Sequence, residues 1–197
     1  MKQALPALVV GLLFGAGLAL SGCISFGAKP PPFLLRLTPA QEGAAGAARS
    51  AAAGQAITVA IPIVGQELMT PRVPVHSGAN QVAYLKDAQW VEMPSALFAR
   101  LVSETISVRT GRVVLDPRQF ALDPGVKLTG TLQNFGLDGD RMEALVVYDA
   151  ALARGDRVET RRFAARAPLA AMDGASAASA LNQAANQVAA EVAGWIG

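Results

Sequence analysis

The spacing of hydrophobic and polar residues predicts two helices. Residues 94–106 carry apolar side chains at i, i+3 and i+4, which is the spacing of a helix with one buried face. Pro94 suits its first turn, where the missing N–H leaves no hydrogen bond unmade. Residues 176–196 repeat apolar side chains with a period of 3.6, and Asp173 or Ser176 can cap the start of that helix.

Other apolar segments have the length and the β-branched content of strands. The run ITVAIPIV at 57–64 predicts a strand buried on both faces, with an edge or a bulge near Pro62. Residues 126–137 alternate at first, but Phe135 is out of phase, which predicts a bulge near 133–134. Further strands are predicted at 33–37, 81–85, 112–116, 143–154 and 157–167.

Loops and turns are predicted between these strands. Residues 39–56 are rich in Ala and Gly, with no side chain large enough to fill a core, so we expect a flexible loop. Residues 69–80 contain two prolines and are also expected to form a loop. Gly155-Asp156 predicts a hairpin turn, and the polar alternation at 157–167 is typical of an edge strand.

The order of these elements indicates the fold class. Six or seven strands and two helices do not alternate strictly along the chain, and the last three strands form an antiparallel meander. We therefore predict an α+β fold with a mixed, mainly antiparallel sheet and with both helices packed on one face.

The N-terminus has the layout of a secretory signal. Lys2 gives a basic start, and residues 4–20 are apolar without a charge. The sequence LSGC at 20–23 resembles the bacterial lipobox, which implies that Cys23 is lipidated and becomes the first residue after cleavage. An uncleaved transmembrane anchor is the alternative, since the run approaches the roughly 20 residues that a span needs.

These features divide the chain into three parts. Residues 1–22 are predicted to be a lipoprotein signal peptide, and residues 23–32 a lipidated Cys and a tether stiffened by three prolines. Residues 33–197 are predicted to be one folded domain.

Composition narrows the function classes. The chain has 17 Lys and Arg against 15 Asp and Glu, and a formal net charge of +2 gives no indication of a nucleic-acid binder. One His and one Cys exclude the common zinc sites, and a lipidated thiol cannot act as a nucleophile. The sequence contains no Walker motif, no nucleophile elbow and no paired catalytic carboxylates. We predict neither enzymatic activity nor a cofactor.

Four stretches carry a resemblance to a known family. They are FLLRL at 33–37, ITVAIPIV at 57–64, the stretch 72–106 with its Tyr, Trp, Pro and helix, and DGDRMEALVVYDAAL at 138–152. Behind a lipobox, this layout resembles the ABC-type transport auxiliary lipoproteins, a PqiC-like family. The resemblance implies an α+β fold related to the amino-terminal domain of TolB.

The resemblance also implies partners and a location. Such proteins accompany ABC transporters with an Mce-type subunit, which move lipids between the inner and outer membranes of Gram-negative bacteria. The implied partners are an Mce-domain protein and the ABC permease and ATPase, with a non-catalytic docking role, a possible homo-oligomer and a membrane contact through the lipid anchor. Ile24 stands where an Asp would signal retention in the inner membrane, so we expect the periplasmic side of the outer membrane.

Two other functions remain open at this stage. The first alternative is a structural envelope lipoprotein that scaffolds a secretion or TolB-like machine, which differs from the transport role only in its partner. The second is a periplasmic hydrolase or lipid-binding enzyme, which is the weakest because no catalytic constellation is present.

Candidate docking residues fall into two groups. Tyr84 and Trp90 are either exposed aromatic anchors or residues that pack on the first helix. Arg157 and Arg161 lie on one face of the last strand, where they either dock an acidic partner or anionic headgroups, or protect a sheet edge by charge. His76 is either an ordinary loop histidine or part of an interface.

Overall fold

The computed structural model describes residues 31–52, 54–116 and 125–197, and Cys23 lies outside them. These residues form nine strands and two α-helices: β1 (Leu34–Leu35), β2 (Ile57–Val59), β3 (Ile63–Val64), β4 (Arg72–Ser77), β5 (Gln81–Trp90), α1 (Pro94–Thr110), β6 (Val114–Leu115), β7 (Val126–Asp138), β8 (Glu143–Arg154), β9 (Arg157–Pro168) and α2 (Gly174–Ile196). The count exceeds the expected six or seven strands, because several strands have only two or three residues.

All nine strands belong to one mixed sheet around β7. One edge of β7 pairs antiparallel with β8 along its whole length, and β8 pairs antiparallel with β9. The other edge of β7 pairs parallel with β2, β3 and β4 in succession. Beyond β4 the sheet continues through β5 to β1, and beyond β2 it continues to β6. The predicted α+β class is confirmed, whereas the relation to TolB stays a prediction.

Both helices pack on the same face of this sheet, as predicted. Phe98 of α1 lies with its ring centroid 5.1 Å from that of Tyr148 on β8. Trp195 of α2 lies 5.6 Å from Phe163 on β9. Tyr148 and Phe163 are opposite each other in the β8–β9 register, so their side chains share one face.

The ends of the helices follow the capping rules. Gly111 stops α1 in the left-handed conformation at φ 69°, which glycine adopts without a steric cost. Asp173 caps α2, because its Oδ1 accepts a hydrogen bond from the Ser176 N–H at 2.8 Å. That backbone hydrogen bond lowers the pKa of Asp173. Of the two predicted caps, Asp173 is therefore the one used. Among the described helices, none is long and apolar enough to cross a bilayer.

The bulge in β7 is confirmed. The register with β8 shifts between Leu132 and Asn134, so that one extra residue stands on β7. Because of this shift, Leu132, Phe135 and Leu137 are all fully buried although their spacing is not strictly alternating.

The prediction for residues 57–64 holds only in part. Ile57–Val59 is buried throughout as β2, but the strand is interrupted and resumes as β3, where Ile63 is 72% exposed. The expectation of one strand buried on both faces is therefore wrong beyond Val59. Pro62 lies in the interruption, where its missing N–H removes no hydrogen bond from the sheet.

The prediction of a loop over 69–80 is wrong for the middle half of its length. Residues 72–77 form β4, which pairs antiparallel with β5. The register shifts between Arg72 and Pro74, and this irregularity accommodates a proline within a strand. The predicted extended segment 81–85 continues to Trp90, so the two strands form a hairpin.

Candidate docking surfaces

The described residues contain no group of three His, Cys, Asp or Glu side chains that could hold a metal ion. The first candidate surface is the basic edge strand β9. Arg157 and Arg161 lie on the helix-facing side of β9, whereas Arg162 and Arg166 lie on the opposite face. Residues 157–162 are all exposed, so both faces of this half of the strand are accessible.

The arginines on the outer face are paired with acids. Arg162 holds both carboxylate oxygens of Asp149, with N–O distances of 2.6 and 2.7 Å. The Arg162 hydrogen bond lowers the pKa of Asp149. Arg166 lies 3.1 Å from Glu143 and 3.4 Å from Asp138. The positive charge of this face is therefore largely compensated within the domain.

Arg157 and Arg161 differ from Arg162 and Arg166. In the described part of the chain neither forms an ion pair, and Arg161 lies with its guanidinium carbon 5.1 Å from the centre of the Phe163 ring. The ring contacts the Arg161 guanidinium without neutralising its charge. Both guanidinium groups are thus accessible to an acidic partner, at a strand edge that is unpaired among the described residues.

Tyr84 lies half-buried against β4 rather than free in solvent. Its hydroxyl donates to the Glu67 carbonyl at 3.3 Å, and the Arg72 guanidinium lies 4.3 Å from its ring centroid. These contacts hold one face of the ring within the domain. Tyr84 is therefore positioned by the β4–β5 hairpin, with part of its surface still accessible.

Trp90 is a core residue. Only 2% of its surface is exposed, and its ring centroid lies 5.3 Å from that of Phe135. The interpretation of Trp90 as an exposed anchor is therefore wrong, because the end of β5 turns its indole under the helices. Its Nε1 has no hydrogen-bond partner among the described residues.

His76 lies in β4 and not in the loop that was expected. Its Nε2 is 3.2 Å from Oε2 of Glu67, and its Nδ1 is 3.4 Å from Nδ2 of Asn134 at the β7 bulge. These contacts join β4, β7 and the 3-10 turn at Gln66–Leu68.

Several hydrogen bonds that the sequence analysis missed fix the start of the Ala/Gly segment on the helices. The N–H of Thr38 donates to Asn182 Oδ1 at 2.9 Å, and the N–H of Ala40 donates to Asn186 Oδ1 at 2.7 Å. Asn186 Nδ2 donates in return to the Thr38 carbonyl at 2.9 Å. Further along, the Gly43 N–H donates to Glu104 of α1 at 2.9 Å. We name residues 38–43 the strap, since they lie across both helices.

Beside the strap is an apolar groove of about 440 Å³ between residues 34–39 and α1. Its apolar lining is Leu34, Leu37, Pro39, Val91, Leu97 and Leu101, and its charged lining is Arg36, Glu92, Arg100 and Glu104. Arg100 pairs with Glu92 at 2.7 Å.

Comparisons with known proteins agree with this fold. The family model described as "ABC-type transport auxiliary lipoprotein component" matches residues 35–193. A crystal structure of a Xanthomonas campestris protein of the family DUF330 is similar, with a TM-score of 0.65 and 21% identity, over 85% of this chain and 93% of that protein. An uncharacterised protein is also similar, with a TM-score of 0.65 and 16% identity, over 76% of this chain and 97% of its own. At these identities the two structures show the fold alone. Among curated proteins no match was found.

Proposed function

Because the chain belongs to the ABC-type transport auxiliary lipoprotein component family, we propose that it is a lipid-anchored accessory protein of an ABC-type lipid transport system. The observation that carries this proposal is the family match over residues 35–193. The family is an accessory component of transporters and not a class of enzymes. In the finer form of the proposal, the transporter is of the Mce type and links the inner and outer membranes.

The anchor in this proposal is Cys23. The LSGC sequence at 20–23 supports lipidation, and the Ile at position 24 supports transfer to the periplasmic side of the outer membrane. The domain then docks an Mce-domain protein, which works together with the permease and the ATPase of the same system.

The docking surface in this proposal is the exposed half of β9. Arg157 and Arg161 are accessible cations on a strand edge, and the neighbouring Arg162 is already paired with Asp149. Charges at the rim of an interface steer association and select the partner. An acidic segment of the transporter is therefore the complementary surface.

Affinity capture tests the proposed function. The tagged, lipidated protein is isolated from crosslinked cells, and the bound proteins are identified by mass spectrometry. We expect an Mce-domain protein together with its ATPase. If only secretion or Tol-type envelope proteins are recovered, the chain is a scaffold of another machine and the transport proposal fails.

A charge-reversed variant tests the docking surface in the same experiment. Arg157→Glu with Arg161→Glu should retain the melting temperature of the parent and lose most of the captured Mce-domain protein. The matched control is Lys86→Glu with Lys127→Glu, which reverses two exposed cations elsewhere and should leave capture unchanged. If the arginine variant captures as much Mce-domain protein as the lysine control and the parent, the arginines only protect the edge from unwanted pairing.

A further inference from the structure

Four large apolar side chains are exposed where the tether enters the domain. The exposed fractions are 48% for Phe33, 52% for Leu34, 54% for Val91 and 46% for Met93. We name these four residues the tether patch. β1 pairs in parallel with the end of β5, and the Val91 N–H donates to the Leu35 carbonyl at 2.8 Å, so the two halves of the patch are fixed side by side. Leu34 and Val91 also line the same groove.

The core does not require these side chains to be apolar. Leu35, which follows Leu34, and Trp90, which precedes Val91, are each only 2% exposed and already fill this part of the core. Neighbouring exposed apolar residues that do not serve the core typically mark a contact with a protein or a membrane.

The length of the tether favours a membrane. From Cys23 to Pro31 the chain spans at most about 28 Å, even when fully extended. A lipidated Cys23 would therefore keep the patch within a short distance of the bilayer. A linked second contact forms at a high effective concentration, so that even a weak contact is populated. We propose that the tether patch inserts into the headgroup region of the bilayer that holds the anchor, an inference that rests on the proposed lipidation of Cys23.

The charges near the patch indicate how it would bind. The adjoining groove contains the cations Arg36 and Arg100 and the anions Glu92 and Glu104. Their formal charges cancel, so attraction to anionic headgroups is not the driving force. Insertion of apolar side chains is then the main contribution, and the contact should form on neutral phosphatidylcholine and persist at high salt.

Spin labels at the patch test this proposal in the full lipidated protein. Cys23 is the only cysteine and its thiol would be acylated, so Leu34→Cys or Val91→Cys introduces a single reactive thiol. Val158→Cys is the control, because Val158 is 66% exposed on β9 at the other edge of the sheet. Each labelled protein is reconstituted on phosphatidylcholine vesicles, and collisions with oxygen and with a water-soluble nickel chelate are measured.

We expect oxygen to be favoured over the nickel chelate at positions 34 and 91, and the reverse at position 158. If the nickel chelate is favoured at all three positions, the patch faces water and the proposal is overturned. If both reagents are excluded at 34 and 91, protein covers the patch, and the bilayer assignment is also overturned.

The mass of the purified chain separates this inference from the anchor on which it rests. If the mass shows acyl chains but the labels are exposed to water, only the proposed insertion of the tether patch is overturned. A mass without acyl chains would overturn the lipid anchor, and the membrane assignment of the patch with it.

Discussion

Gly130, in the middle of β7, shows how a single residue constrains the sheet. The Tyr148 ring lies across the position that a side chain at residue 130 would occupy, and the Tyr148 hydroxyl donates to the Thr129 carbonyl at 3.0 Å. Burial raises the pKa of Tyr148, so the phenol remains protonated and able to donate. A glycine facing an aromatic ring on the neighbouring strand is a recurrent way of fixing sheet register.

Gly130→Ala should therefore destabilise the domain. The new Cβ would lie 2.2 Å from the Asp149 carbonyl oxygen and 2.7 Å from Cε2 of Tyr148, so that the backbone of β8 would have to move. We expect the free energy of unfolding to fall by at least about 2 kcal/mol, as measured by urea denaturation. Gly194→Ala on α2 is the control, because in the described part of the chain nothing outside the backbone of its own helix lies within 4 Å of its Cβ. Equal stability of both variants would contradict the packing described here.

Asp149 gives the stability of the domain a dependence on pH. Its pKa is lowered by Arg162, so ionised Asp149 stabilises the folded state at pH values above its unfolded pKa, and this contribution is lost as the pH falls through the lowered pKa. Asp149→Asn should therefore melt slightly below the parent at pH 7, and the difference should disappear in acid. Thermal unfolding of the variant and the parent between pH 7 and pH 2 measures this difference in melting temperature.

Glu159→Gln is the control for that experiment. It removes a carboxylate from the exposed half of β9 that forms no ion pair among the described residues, so it measures the effect of losing one negative charge without losing the Arg162 contact. A difference of the same size in both variants would indicate a general charge effect instead of the Asp149–Arg162 pair.

At the scale of elements, the strap depends on two asparagines that are four residues apart on α2. Asn186→Ala removes the acceptor of the Ala40 N–H and the donor to the Thr38 carbonyl. Each hydrogen bond contributes about 0.5–1.5 kcal/mol, so amide exchange at residue 40 should accelerate up to roughly tenfold. Hydrogen exchange followed by NMR measures the rate.

Gln187→Ala is the matched control for the strap. Gln187 is the next residue on α2, and within the described ranges its side chain donates only to Glu191, one turn further along. Exchange at Thr38 and Ala40 should therefore keep the rate of the parent. If Asn186→Ala also leaves these rates unchanged, other contacts hold the strap.

The elements also show which structural features were accessible from the sequence. The helix stripes and the β7 bulge were predictable because they depend on side-chain periodicity within one segment, as at Phe135. β4 was not predictable, because a proline such as Pro74 normally indicates that a segment is not a strand. The pairing of β4 is decided by β5 and β7, which are distant in sequence or not yet placed when the segment is considered alone. The strap was not predictable, because Asn182 and Asn186 act on a segment about 144 residues away in sequence. Trp90 was assigned only as one of two alternatives, since burial depends on how the helices cover the sheet.

At the scale of the whole molecule, the two surfaces lie at opposite edges of the sheet. Along β9, β8, β7, β4, β5 and β1, five strand spacings separate the basic edge from the edge where the tether enters. At about 4.8 Å per spacing this is roughly 24 Å. The proposed docking strand β9 and the strand at which the described chain begins therefore lie on different edges of the sheet.

The proposed anchor and the folded domain should be separable. Residues 31–197 form one compact unit, which begins after Cys23. Cys23→Ser should therefore leave the precursor uncleaved and without radioactive fatty-acid label, while the domain keeps the melting temperature of the parent. The control is Ser25→Ala, which alters a residue just after the lipobox and should be labelled and processed normally. Normal labelling of Cys23→Ser would end the lipoprotein interpretation, and a lower melting temperature would mean that the domain needs the anchor to fold.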